Sequence, residues 1–205
     1  RQRLVAQFVA PSSGGLHRPL GLTVGPDTTG DGVGELFVAS SNLNNTILEY
    51  NGATGAFITD FLQANLPANL PTTPSGILFG PAFVGSDLFV SSFGTDQILR
   101  YDDVTGAFVG AFLPVVPAGF DGPAGLIYGN DINGGGQADL FVSSSLTNAI
   151  FAFDDTTGTL IGAGAFVAAG AAGLLNPGGL TLGPDVTGDG QQDLYVASTG
   201  TNQVL

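Results

Sequence analysis

Four stretches of the chain are one segment written four times: ELFVASS (35–41), DLFVSSF (87–93), DLFVSSS (139–145) and DLYVAST (193–199). Their leucines, Leu36, Leu88, Leu140 and Leu194, are 52, 52 and 54 residues apart. Self-similarity at a fixed period of this size is the mark of a repeat architecture. The text around each copy repeats as well. Upstream stands a glycine-bounded apolar pentad: GLTVG (21–25), GILFG (76–80), GLIYG (125–129) and GLTLG (179–183). Downstream run TILEYN (46–51), QILRYD (97–102), AIFAFD (149–154) and a truncated QVL (203–205). Then follow ATGAFITDFL (53–62), VTGAFVGAFL (104–113) and TTGTLIGAGAFV (156–167). The opening RLVAQFVAPSSGGL (3–16) matches this last kind with its first half missing.

Each unit reads as four short strands, rich in Val, Ile, Leu, Phe and Tyr and bounded by Gly, Pro, Asn or Asp. In chain order they are an inner strand A, then B, C and D. Asn51-Gly52, Asp102 to Gly106 and Asp154 to Gly158 supply hairpin turns between C and D. No segment sustains a 3.6-residue period. A four-stranded unit of about 50 residues, repeated, predicts an all-β fold, a β-propeller of four blades. The expected blades are 19–63, 74–113, 123–167 and 178–205, forming one domain. Residues 3–10 are expected to complete the last blade as its fourth strand. That strand either closes the chain's own ring or enters a second copy by strand exchange, leading to filaments if the rotation does not close. A four-repeat piece of a larger array is a third reading.

Composition bounds the function. The chain has 205 residues, 33 of them Gly and 12 Pro, yet 43% are hydrophobic, which is enough for a core and too apolar for disorder. Seventeen acids face four bases, for a net charge of −13. Such a chain lacks the Lys/Arg that neutralise phosphates and is repelled by anionic membranes. It has no Cys, which excludes thiol catalysis, disulfides and Cys-bound zinc. It has no Met, so it reads as a processed product or an excised piece. Few charges, no Lys and many Ser, Thr, Asn and Gly point to export, extracellular or at a cell surface, with any signal peptide removed. The uncharged stretch 156–184 looks membrane-like, but its glycines and the Asn176-Pro177 break argue against a span.

The A–B loops carry the most specific chemistry. The first reads Asp27, Thr29, Asp31 and Glu35, the fourth Asp185, Thr187, Asp189 and Asp193, and the third Asp131, Asn133, Gly135 and Asp139. Oxygen side chains thus recur at loop positions 1, 3, 5 and 9 with Gly at 6, the pattern of a calcium loop; in the third, Gly135 replaces the acid at position 5. Eight of the 17 acids sit in these loops, a clustering that costs repulsion unless a cation offsets it. The competing reading is an Asx/Gly turn in which each Asp caps its own backbone. Asp102-Asp103 and Asp154-Asp155 read as turn chemistry, since they recur at one place in successive blades.

These loops with the DLFV strand resemble the calcium-binding FG-GAP/VCBS propeller repeat of integrin α heads. The YDxxTGAFxGxF segment resembles NHL-like repeats of bacterial exported proteins. The resemblance implies that Asp27, Asp31, Glu35, Asp185, Asp189 and Asp193 are calcium ligands. NHL-like relatives include lyases and lactonases with metal ligands converging on a central channel. Here the lone His17 has no histidine partner and no GxSxG elbow is present. The expected function is therefore non-enzymatic: a structural or adhesive propeller, stabilised by calcium, contacting protein or glycan. A propeller lyase or lactonase is the alternative. The B–C loops, SSNLNNT (40–46), SSFGTDQ (91–97), SSSLTNA (143–149) and STGTNQ (198–203), form an expected neutral face of hydroxyls and amides.

Overall fold

The computed structural model describes residues 7–41, 43–63, 67–81 and 86–205. The described residues form fourteen strands in four antiparallel sheets, one per repeat. The first blade is β1 (Pro19–Val24), β2 (Leu36–Ser40), β3 (Thr46–Tyr50) and β4 (Phe57–Asp60). The second is β5 (Pro74–Phe79), β6 (Leu88–Ser92), β7 (Gln97–Tyr101) and β8 (Phe108–Ala111). The third is β9 (Pro123–Tyr128), β10 (Leu140–Ser144) and β11 (Ala149–Phe153); the fourth is β12 (Pro177–Leu182), β13 (Leu194–Ser198) and β14 (Gln203–Val204). Four blades stand as the repeat predicts, two of them with four strands. In the third blade the fourth strand is reduced to two isolated bridges, Ile150 to Val167 and Phe153 to Leu160. Its segment is two residues longer than its counterparts and carries Gly162 at φ 85°, so a continuous register is lost.

Each inner strand begins with proline, where no ladder N–H is needed, and each is bulged between that proline and the apolar pair after the glycine. The glycine is required by stacking. A Cβ on Gly21 would meet the Ser75 carbonyl at 2.2 Å, on Gly76 the Ala124 carbonyl at 2.1 Å, and on Gly125 the Gly178 carbonyl at 2.4 Å. The inner strands thus stack backbone to backbone, blade upon blade.

The second strands form the spine. Phe37, Leu88, Phe89, Val90, Leu140 and Val142 are all buried. Their aromatic rings face the next blade and meet a phenylalanine from the fourth-strand segment edge-on. Phe37 with Phe61, Phe89 with Phe112 and Phe141 with Phe166 each have centroids 5.0 Å apart. The serines closing these strands are structural. Ser40, Ser92, Ser144 and Ser198 accept the backbone N–H of His17, Thr72, Asp121 and Leu175 at 3.0, 2.8, 2.8 and 3.0 Å. Part of the hydroxyl face expected from the B–C loops is therefore spent pinning the interblade linkers.

The two ends of the stack are not joined among the described residues. Gly179, the fourth glycine of the inner ladder, meets nothing within 4 Å. Leu22 and Val24 on the outer face of the first blade are 67% and 66% exposed. The strand assigned to residues 3–10 falls partly outside the described residues. Its described part, 7–10, lies on the first blade: the Phe8 carbonyl stands 2.0 Å from where a Gly55 Cβ would be, as Phe61 and Phe112 stand to Gly106 and Gly158. Val9 packs with Val38, Leu48 and Tyr50. These residues occupy the place of a fourth strand belonging to a blade before the first. Tyr195 is the counterpart of Phe37, Phe89 and Phe141, and Phe8 the counterpart of their partners, yet no ring contact joins them among the described residues. Tyr195 is half-buried and Phe8 is 47% exposed.

Candidate functional site

The A–B loops and C–D turns share one face, as the blade topology requires. Asn51 of the first C–D turn donates through Nδ2 to Asp31 Oδ2 at 2.7 Å, and Asn133 does the same to Asp154 Oδ2 at 2.8 Å. The turns are held by a side-chain cap. Oδ1 of Asn51, Asp102 and Asp154 accepts the N–H and the hydroxyl of the threonine three residues on. The threonine hydroxyl holds the carboxyls of Asp102 and Asp154 below the ordinary carboxylate range. Turn chemistry accounts for both residues.

In the first loop, Asp27 Oδ1 accepts the N–H of Gly30 at 2.6 Å and Oδ2 that of Gly32 at 2.8 Å, with Asp31 Oδ1 on the Val33 N–H at 2.9 Å. These amides, Gly32 first, lower the Asp27 pKa. Gly30 and Gly32 take φ of 77° and 88°, which turns the loop back on itself. Glu35 is buried at 0% exposure and accepts from the Thr29 hydroxyl at 2.7 Å and the Gly52 N–H at 2.8 Å. Asp27, Asp31 and Glu35 each place an oxygen so that all three lie within 4.8 Å of one another. The expected set converges, with Thr29 spending its hydroxyl hydrogen on Glu35.

The other two loops differ. In the fourth, Asp185 accepts the N–H of Gly188 and, at 2.8 Å, of Gly190, which lowers its pKa, and Asp193 accepts the Val186 N–H at 2.8 Å. Thr187 reaches both Asp185 and Asp193, at 3.3 and 3.2 Å, while Asp189 caps the Gln191 N–H at 2.9 Å. Asp185, Asp189 and Asp193 do not form a convergent trio of the kind that Asp27, Asp31 and Glu35 make. In the third loop Asp131 caps Gly134 at 2.7 Å and Gly136 at 2.7 Å and stays apart from Asp139. Asp139 instead joins Asp154 and Asp155 of the C–D turn, their oxygens within 4.8 Å. Burial raises the Asp139 pKa. The Asp-Asp pair reads as a turn in the sequence; both its members also enter an acid cluster that only the tertiary packing of loop against turn creates.

The opposite face holds the only histidine. His17 Nδ1 lies 3.3 Å from the Ser41 carbonyl, and its N–H is bound to Ser40. Beside it the inner strands enclose a funnel of about 410 Å³, lined by Arg18, Leu20, Ser75, Phe93 and the glycine ladder. No described helix is long and apolar enough to cross a membrane.

No family model matches the chain, and no curated protein does. Solved structures do. A virginiamycin B lyase from Staphylococcus aureus superposes with a TM-score of 0.57 at 22% identity, over 96% of this chain and 56% of its own. A streptogramin B lyase gives 0.59 at 19%, over 96% and 55%. An auxiliary nutrient binding protein from Bacteroides ovatus gives 0.62 at 13%, over 93% and 48%. The fold is that of a β-propeller. At these identities the likeness carries the fold alone, and the chain spans about half the length of the structures it matches.

Proposed function

We propose that the chain is a non-enzymatic structural module, extracellular or at a cell surface, that assembles head to tail with a second copy of itself and is stabilised by calcium in its first A–B loop. One observation carries the assembly: the ring pair that each of the first three blades makes between its second strand and its fourth-strand segment is left unmade between Tyr195 and Phe8 among the described residues. Both halves of an interblade interface are present and, among the described residues, uncovered, one at each end. In the proposed assembly, residues 7–10 of one copy lie beside β14 of the other as its missing fourth strand, a strand exchange. Two copies meeting head to tail about one axis would bring these two uncovered faces together. Apolar faces bearing Leu22 and Val24 do not stay in water when a matching face exists.

The chain has no cysteine, so Phe8→Cys with Tyr195→Cys is a clean reporter. Oxidation is expected to give covalent dimers, and light scattering on the unmodified chain twice the monomer mass. Leu22→Asp is expected to return the monomer without lowering its stability. An intramolecular disulfide would establish self-closure instead. A monomer at high concentration with no crosslink would overturn the assembly.

Calcium rests on the convergent oxygens of Asp27, Asp31 and Glu35 and on the likeness of this loop to FG-GAP repeats. Their donor chemistry, hard oxygen on a glycine-turned loop, fits that ion. A bound ion contributes about 2.7 kcal/mol when free calcium stands a hundredfold above Kd. Melting in chelator and then in millimolar calcium is expected to show an upward shift that Asp31→Asn abolishes from this loop. An unchanged midpoint would remove calcium from the reading. The lyases among the structural neighbours do not bring their reaction here, since the likeness to them is one of fold.

A further inference from the structure

In each of the first three blades the residue before the second strand is a buried carboxylate, Glu35, Asp87 and Asp139. What satisfies it differs. Glu35 receives the Thr29 hydroxyl and the Gly52 N–H. Asp87 receives Arg100, whose Nε donates at 3.0 Å in an ion pair. Asp139 Oδ2 accepts the N–H of Ile132 at 2.7 Å and of Asn133 at 3.3 Å, but its Oδ1 has no hydrogen-bond partner although the residue is 0% exposed.

The strand opposite shows why. Arg100 stands across from Phe89, and the same register position across from Phe141 is Ala152. The third blade therefore lacks the internal cation of the second. It also draws inward a carboxylate that the second blade leaves half-buried as Asp103: its counterpart Asp155 is 3% exposed, and its Oδ2 also has no partner. Asp154 joins them, held in place by Asn133 and Thr157, and oxygens of the three acids lie within 4.8 Å of one another. The Tyr128 hydroxyl, near enough to feel the Asp155 charge, is a third buried oxygen without a partner. Buried charge without compensation is strongly unfavourable, and like charges compound it. Calcium binds oxygens at about 2.3–2.6 Å, so two of its ligands stand at most roughly 5 Å apart, the span seen here. The donors are all oxygen, which selects a hard ion of the calcium class over zinc or copper.

We infer that the third blade holds a second calcium site, formed by Asp139 with Asp154 and Asp155 across the A–B loop and the C–D turn, in which the ion does for Asp139 what Arg100 does for Asp87. The site is independent of the assembly and of loop 27–35.

The experiment uses the full chain stripped by chelator, in an Asp31→Asn background that silences the first loop. Equilibrium dialysis is expected to find one calcium per chain, and none when Asp155→Asn is added. Saturating calcium is expected to raise the midpoint by about 5 °C or more in the first protein and not in the second. In chelator the order reverses: the Asp155→Asn protein melts higher than its parent, because one of two facing buried charges is gone. That reversal also separates a lost site from a misfolded variant. No calcium bound in the Asp31→Asn protein, or binding that survives Asp155→Asn, overturns the inference. Two proteins with equal midpoints in chelator and in calcium would assign the pair a shared proton in place of a metal. If the first-loop reading alone is wrong, the parent chain and Asp31→Asn bind the same single ion, and the third-blade site stands.

Discussion

Phe89→Ala is expected to destabilise the protein by about 3–5 kcal/mol, read as a fall in the denaturant midpoint at constant m-value. The ring is fully buried in the seam between the second and third blades. It meets Phe112 edge-on at 5.0 Å and Tyr128 at 5.9 Å, and the Arg100 guanidinium carbon sits 5.7 Å from its centre. Truncation removes the packed volume and these oriented contacts together, worth about 0.5–1.5 kcal/mol beyond area for each aromatic pair. Tyr195→Ala at the equivalent place in the last blade is expected to cost far less in the monomer, because its outward face has no neighbour. Equal costs at the two positions would mean that the last blade is covered in solution in a way this structure does not contain.

The spine was legible because a β-strand buried on both faces leaves a strong trace: Leu88, Phe89 and Val90 in succession, copied at a fixed spacing. The turns were legible for a local reason. Asp102 and Asp154 cap the N–H groups and hydroxyls two and three residues on, which needs no tertiary context. What escaped was set by packing between repeats. Ser40, Ser92, Ser144 and Ser198 look like a displayed row of hydroxyls, but each points at the linker entering its own blade. The A–B loops looked alike because their letters are alike. Glu35 has one more methylene than Asp193, and the Gly52 amide of the following turn fixes it over the first loop. Among the described residues the fourth loop receives no such amide. Asp155 was hidden behind its neighbour: Asp154 explains the turn completely, and nothing local shows that the next residue is driven inward against Asp139. A comparison of Arg100 with Ala152 at one register position was the available signal, since the loss of a basic residue beside a retained buried acid leaves a charge to be met.

The glycine ladder offers a second large effect, because one residue type at one repeat position meets two environments. Gly76→Ala puts a methyl 2.1 Å from the Ala124 carbonyl, a backbone atom held by the stacking of β5 on β9. No flexible side chain can yield there, so the blades must part, at a cost toward the upper end of about 1–3 kcal/mol for overpacking. Each kcal/mol lowers the midpoint of a chain this size by about 2–4 °C. Gly179→Ala meets nothing within 4 Å and is expected to leave the melt of the monomer unchanged. In the proposed head-to-tail assembly the ladder continues: Gly21 faces the Ser75 carbonyl, Gly76 the Ala124 carbonyl and Gly125 the Gly178 carbonyl, so Gly179 comes to face the Leu20 carbonyl of the next copy. The same silent substitution is then expected to weaken association at least tenfold, since a clash of about 1.4 kcal/mol is a factor of ten in an equilibrium constant. Calorimetry on dilute protein and sedimentation at rising concentration separate the two effects. A Gly179→Ala chain that associates as tightly as its parent would show that the fourth glycine has no neighbour in the assembly either, and that the copies do not meet through the inner strands.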